Sequence, residues 1–78
     1  MTLEQLPAGQ RAWISEVQGD DGLRARMFAL GVRAGREVAV IRRAAWGGPL
    51  HVRIGTTDLV MRRREANLIR LAIVEATA

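Results

Sequence analysis

The sequence has no cysteine, no lysine and no tyrosine, and it carries a single histidine, a single serine and a single phenylalanine. Each absence removes a class of function. Without cysteine there is neither a disulfide framework nor a thiolate metal site, and the chain suits a reducing compartment. A lone imidazole, His51, cannot assemble a closed transition-metal site within one chain, although a metal bridging His51 to a carboxylate of a neighbouring chain stays open. The nucleophiles reduce to Ser15 and four threonines, and no spacing suggests a serine–histidine–acid arrangement. The segment "WGGP" lacks the lysine and the glycine spacing of a phosphate loop, and no dinucleotide fingerprint occurs. No catalytic residue, cofactor site or metal-ligand set is therefore expected, and the chain does not read as an enzyme. Long apolar runs are also missing, all far short of the roughly 20 residues that span a bilayer. The opening "MTLEQLPAGQ" lacks the basic start and apolar core of a signal peptide. A soluble, cytoplasmic protein without direct membrane insertion is the expectation.

What remains is a small folding composition. Among 78 residues, 49% are hydrophobic and 26% charged, enough for one domain spanning residues 1–78. A chain this short buries only about 60% of its unfolded surface, so its core is modest. The net charge is +4, and all twelve cationic residues are arginines spread along the chain. Such a charge favours nucleic acid, acidic lipid or an acidic protein partner; dispersed arginines equally suit solvated strand edges.

Along the chain, "LPAGQ" reads as a turn and "RAWISEVQ" as a first strand. Its alternation is imperfect, with Trp13 and Val17 on one side and Ala12 and Ile14 on the other. A bulge, or burial on both faces with Trp13 in the core, would explain it. Asp20 or Asp21 then caps a helix whose apolar stripe is Leu23, Met27 and Leu30. Gly31 suits the left-handed position past the helix end, and "RAGR", with Gly35, is a turn into the strand "EVAVIRR". "AAWGGP" turns into "LHVRI", where Leu50, Val52 and Ile54 face inward and His51 and Arg53 outward. "GTTD" turns into "LVMR", "RREANLI" supplies one helical turn, "IRLAIV" closes the fold, and "EATA" is expected to fray. The pattern is mainly β: about five short strands with one short α-helix inserted after the first. A small closed barrel is expected, because closure removes sheet edges.

Two surfaces stand out. Arg42, Arg43, Arg62, Arg63 and Arg64 fall at the ends of two strands and can form one basic patch. Few aromatics accompany them, which weighs against a base-stacking nucleic-acid surface. Phe28 lies about 100° around the helix from Met27, on the flank it shares with Arg24. An aromatic beside an arginine at the edge of an apolar stripe is a protein-contact candidate.

With these residues in view, the chain resembles the FeoA family of small cytoplasmic proteins of bacterial ferrous-iron uptake. The resemblance rests on "LPAGQ", "LRARMFALGVRAG", "REVAVIRRAAWGGPLHVRIG" and "LVMRRREANLIRL", in that order and over almost the whole chain. Two departures occur: Ala34 stands where the family often has proline, and Ala45 and Trp46 follow "RRA" where proline is also common. The resemblance implies an SH3-like β-barrel without enzymatic activity. It implies contact with the FeoB-type membrane ferrous-iron permease, whose cytoplasmic portion binds and hydrolyses GTP. Partner-binding candidates on that basis are Arg24, Phe28, Arg42, Arg43, Trp46, Arg62 and Arg63, with Gly31 and Gly35 as structural turns. Weak self-association is compatible with this. The competing readings are a small basic barrel that binds nucleic acid, and a stand-alone regulatory domain for an iron-dependent repressor of the diphtheria-toxin-repressor type.

Overall fold

Five antiparallel strands lie in the order β4-β3-β2-β1-β5 in a computed structural model that describes residues 1–76. The strands are β1 (Gln10–Val17), β2 (Glu37–Arg43), β3 (Leu50–Ile54), β4 (Thr57–Met61) and β5 (Ile69–Ala76). Helix α1 (Asp21–Ala29) fills the connection between β1 and β2, and α2 (Arg63–Ala66) is the single turn before β5. β2, β3 and β4 form a meander, and β5 returns to the far side of β1. Period-2 burial is clean where it was expected: Val38, Val40, Leu50, Val52 and Ile54 are all fully buried.

The irregularity of β1 is a bulge. Its register against β5 shifts between Trp13 and Ile14 and again between Ile14 and Glu16. The extra residue changes the parity of the strand, so Ala12 and Ile14 are buried while Val17, three further on, still packs on the core. Trp13, expected in the core, lies instead on the outer face, half-buried, with the Arg11 guanidinium 5.9 Å from its ring centre.

Closure also differs from expectation. β4 and β5 are the two ends of the ladder and do not pair with each other. The N-terminal segment covers the free edge of β5 instead: Thr2 bridges Arg70, and Leu71 N–H donates to the Met1 carbonyl at 2.9 Å. A 3₁₀ turn over Leu3–Gln5 follows, burying Leu3 and Leu6 completely. Sequence periodicity missed this plug, because three residues of 3₁₀ helix carry no repeat long enough to read.

Two strand ends move outward from their expected positions. The β3–β4 turn is only Gly55–Thr56, with Gly55 at φ 61 and Ile54 paired to Thr57. This two-residue hairpin with glycine first brings Thr57 and Asp58 into β4. Glu75 and Ala76, expected to fray, pair with Arg11 and Gln10; Thr77 and Ala78 lie outside the described residues. Among the described residues, no helix is long and apolar enough to cross a membrane.

Candidate protein-contact site

Helix α1 starts and stops on specific side chains. Asp20 is the cap, its carboxylate accepting from the Leu23 N–H at 2.8 Å, and Asp21 is the first helical residue. At the other end Gly31 adopts φ 93 and the chain reverses. Gly31 N–H donates to the Phe28 carbonyl at 3.0 Å and Val32 N–H to the Met27 carbonyl at 2.9 Å. This double-bonded stop folds Val32 back onto Met27, and both are buried. The third member of the expected stripe, Leu30, is the helix C-cap and is 45% exposed. Val32 has taken its place, since the reversal points Val32 at the core and leaves Leu30 on a groove with Pro49 and Val60. The next turn, closed by Arg36 N–H to the Arg33 carbonyl, has Gly35 at φ 87 in its third position. Gly35 N–H then donates to the Ile14 carbonyl at 2.8 Å, which delivers the chain into β2 beside β1.

The consequence is a sharp division between neighbours on α1. Met27 is 4% exposed, whereas Phe28 is 57% exposed. Arg24 is likewise exposed and lines one shallow cleft with Phe28, Val17, Ala25, Val32 and Arg33. The Arg33 guanidinium stands 4.3 Å from the Phe28 ring centre. A cation over an aromatic face at an exposed site attracts the ring by about 0.5–1 kcal/mol. Arg33 escaped sequence reading because it lies beyond the helix end; only the reversal at Gly31 brings it back over Phe28. Arg24 also lies 4.0 Å from Asp21, a loose exposed pair.

The arginines of the expected basic patch meet at one end of the sheet, for Arg43 and Met61 both pair with Leu50. They do not act alike. Arg43 is half-buried and donates to the carbonyls of Glu4 and Leu6, the latter at 2.8 Å. Arg63 bonds the Glu4 carboxylate at 2.7 Å. Both tether the N-terminal plug, so their side chains are committed inside the fold. Arg42, Arg62 and Arg64 are exposed, as is Trp46 at the β2–β3 turn. This end shares no lining residue with the Phe28 cleft.

A third cluster arises from the short β3–β4 turn. Asp58 stands across the ladder from Arg53, which donates to it twice, at 2.7 and 3.1 Å. His51 Nε2 lies 2.9 Å from Asp58 Oδ2, the oxygen that also accepts the longer of the two Arg53 bonds. The paired Arg53 hydrogen bonds, then the one from His51, lower the Asp58 pKa from 3.8 to about 2, and Arg53 is correspondingly raised. The sequence pattern puts Asp58 in a turn, whereas the structure puts it in β4, because Gly55 opens a two-residue hairpin. Ser15, the one serine, donates its hydroxyl to the Arg70 carbonyl at 3.1 Å. Among the described residues, no three histidine, aspartate or glutamate side chains converge on a point that could hold a metal ion.

A five-stranded antiparallel sheet plugged by an N-terminal 3₁₀ turn and carrying one inserted helix is the architecture of a small prokaryotic SH3-like domain. The FeoA domain model matches residues 1–73. The chain belongs to the FeoA family, small proteins associated with ferrous iron transport. It is similar to FeoA of Stenotrophomonas maltophilia, solved with zinc and described as a prokaryotic SH3 domain protein, with 31% identity and a TM-score of 0.88. That alignment covers 100% of this chain and 99% of the other. It is also similar to FeoA of Chlorobium tepidum, with 37% identity and a TM-score of 0.87 over 94% of this chain and 70% of that one. A manganese-dependent transcriptional repressor shares the fold at a TM-score of 0.83 but only 15% identity, over 91% of this chain and 39% of the repressor. No curated protein sequence matches.

Proposed function

We propose that this chain is a non-enzymatic accessory protein of bacterial ferrous iron uptake that acts by contact with the FeoB-type, GTP-binding membrane permease. The observation that carries this reading is Phe28, more than half exposed on α1, stacked by Arg33 and flanked by Arg24. Protein contacts concentrate their energy in aromatic and arginine anchors, and here an aromatic and two arginines are gathered on one cleft. Arg33 already packs on one face of the ring, which lowers the cost of ordering it on binding. Arg43 and Arg63 leave the contact set because their guanidinium groups hold the N-terminal plug. A non-catalytic role is supported by the pairing of the chemistry-bearing side chains: Ser15 is bonded to backbone, and His51 and Arg53 share Asp58.

The reading is tested by co-purification of the permease from membranes with wild-type and Phe28→Ala chains. Loss of the permease with the variant, while its melting curve stays close to wild type, supports the assignment; equal recovery overturns it. Salt separates this reading from nucleic-acid binding. Phosphate neutralisation makes affinity fall steeply with salt, whereas an aromatic-anchored protein contact is far less sensitive.

A further inference from the structure

The β2–β3 hairpin ends in a turn over Ala45, Trp46, Gly47 and Gly48, closed by Gly48 N–H to the Ala45 carbonyl at 3.2 Å. Trp46 has φ 62 and Gly47 φ 72, so both central residues are left-handed, as in a type I′ turn. Glycine or asparagine occupies the first of these positions at little cost; a bulky aromatic there is a backbone outlier. Packing returns nothing for it, because Trp46 is 101% exposed. A strained residue without a structural gain points to a function outside the fold.

The surroundings say what kind. From Ala44 to Pro49 the tip carries no charged side chain. Arginines begin immediately beneath it. Arg42 sits on the second rung beneath it, opposite His51, and Arg62 shares a groove with Pro49. Arg64, exposed on α2, lines a cleft with Arg62, Asp20 and Glu65, and among the described residues none of the guanidinium groups of Arg42, Arg62 and Arg64 forms an ion pair. An uncharged tip bearing one indole above a collar of unpaired arginines is complementary to a surface that is apolar inside and anionic at its face.

We infer that this end of the domain docks on an anionic lipid bilayer, with Trp46 seated at headgroup depth and Arg42, Arg62 and Arg64 against the acidic headgroups. Indole suits that depth because its ring is apolar and its N–H still meets water. The tip is one turn long, which limits it to the interface. A single projecting ring is also a poor platform for nucleic acid, where successive bases stack on several aromatics. The docking does not rest on the permease contact, because the Phe28 cleft shares no residue with this end.

The test uses the full chain carrying Trp13→Phe, so that Trp46 is the sole tryptophan, and vesicles of phosphatidylcholine with or without phosphatidylglycerol. Expected is a blue shift of Trp46 emission with the acidic vesicles. Each arginine near such a surface is worth about fivefold, so binding to neutral vesicles should be about a hundredfold weaker. In parallel, Trp46→Gly in the otherwise wild-type chain should cut co-sedimentation with acidic vesicles by about tenfold and should not lower the melting temperature. This arm stays informative if Trp13→Phe folds poorly. No emission shift, or co-sedimentation of Trp46→Gly equal to wild type, overturns the inference. So does a loss of permease binding in Trp46→Gly without any vesicle response, which would give the tip to a protein contact.

Discussion

Replacing Met27 and Phe28 by alanine, one at a time, separates a residue that holds the fold from its neighbour on the surface. Met27 is 4% exposed and is gripped by the helix stop that folds Val32 onto it. Truncating a buried methionine costs about 2–5 kcal/mol, and the backbone bonds on both sides of Gly31 limit how far this site can collapse, so about 3 kcal/mol is expected. A domain of this size has a total stability of roughly 4–12 kcal/mol, so the loss is a large share of it. At about 4–8 °C per kcal/mol, Met27→Ala should melt about 12–24 °C lower. Phe28, at 57% exposure, loses its stacking with Arg33, worth about 0.5–1 kcal/mol, and a minor part of its burial. Together these come to about 1–1.5 kcal/mol, a fall of about 4–12 °C and smaller than that of Met27→Ala. Thermal melts by circular dichroism decide between them. Equal losses for the two variants would refute the division of α1 into a core side and a contact side.

Three other perturbations have defined outcomes. Gly31→Ala meets no atom within 4 Å, so its cost is the left-handed backbone alone, about 1–2 kcal/mol, and Gly31→Asn should cost less; urea midpoints that rank the two the other way would contradict this. Arg43→Ala leaves the carbonyls of Glu4 and Leu6 without their donor, so it should cost about 1–3 kcal/mol and speed amide exchange around Leu6, whereas Arg42→Ala should change stability by less than about 0.5 kcal/mol. Asp58 has a folded pKa of about 2 against an ordinary 3.8, so its stabilising contribution is complete above the higher value and is lost as pH falls toward the lower. Asp58→Asn should therefore flatten the dependence of melting temperature on pH between about 4 and 2; an unchanged slope would show that the Arg53 and His51 bonds do not hold in solution.

Much of the fold was legible because β3 and β2 up to Val40 alternate cleanly and glycines mark the turns at 31 and 35. The FeoA-like order of segments carried the SH3-like architecture as well. What escaped depended on contacts remote in sequence. Leu3 and Leu6 become core because β5 on one side, and Arg43 and Arg63 on the other, all distant along the chain, hold the segment that carries them. The same two arginines read as surface charge for want of that partner. Leu30 kept its helical phase on paper, but the Gly31 reversal ends the helix first and hands its place to Val32. Trp13 looked like core by its bulk; ordinary alternation gives the inward positions to Ala12 and Ile14, and the bulge beyond Ile14 returns Val17 to their side. In the candidate site, Phe28 and Arg24 followed from helical phase, whereas Arg33 required the reversal to be seen in three dimensions.

The contact with the permease is most directly tested by titrating the full chain against the purified FeoB-type protein and comparing wild type with Phe28→Ala. An anchor residue is worth at least about 2 kcal/mol, so the variant should bind at least about thirtyfold more weakly. A dissociation constant unchanged by Phe28→Ala, with the variant still folded, would contradict the assignment of this cleft.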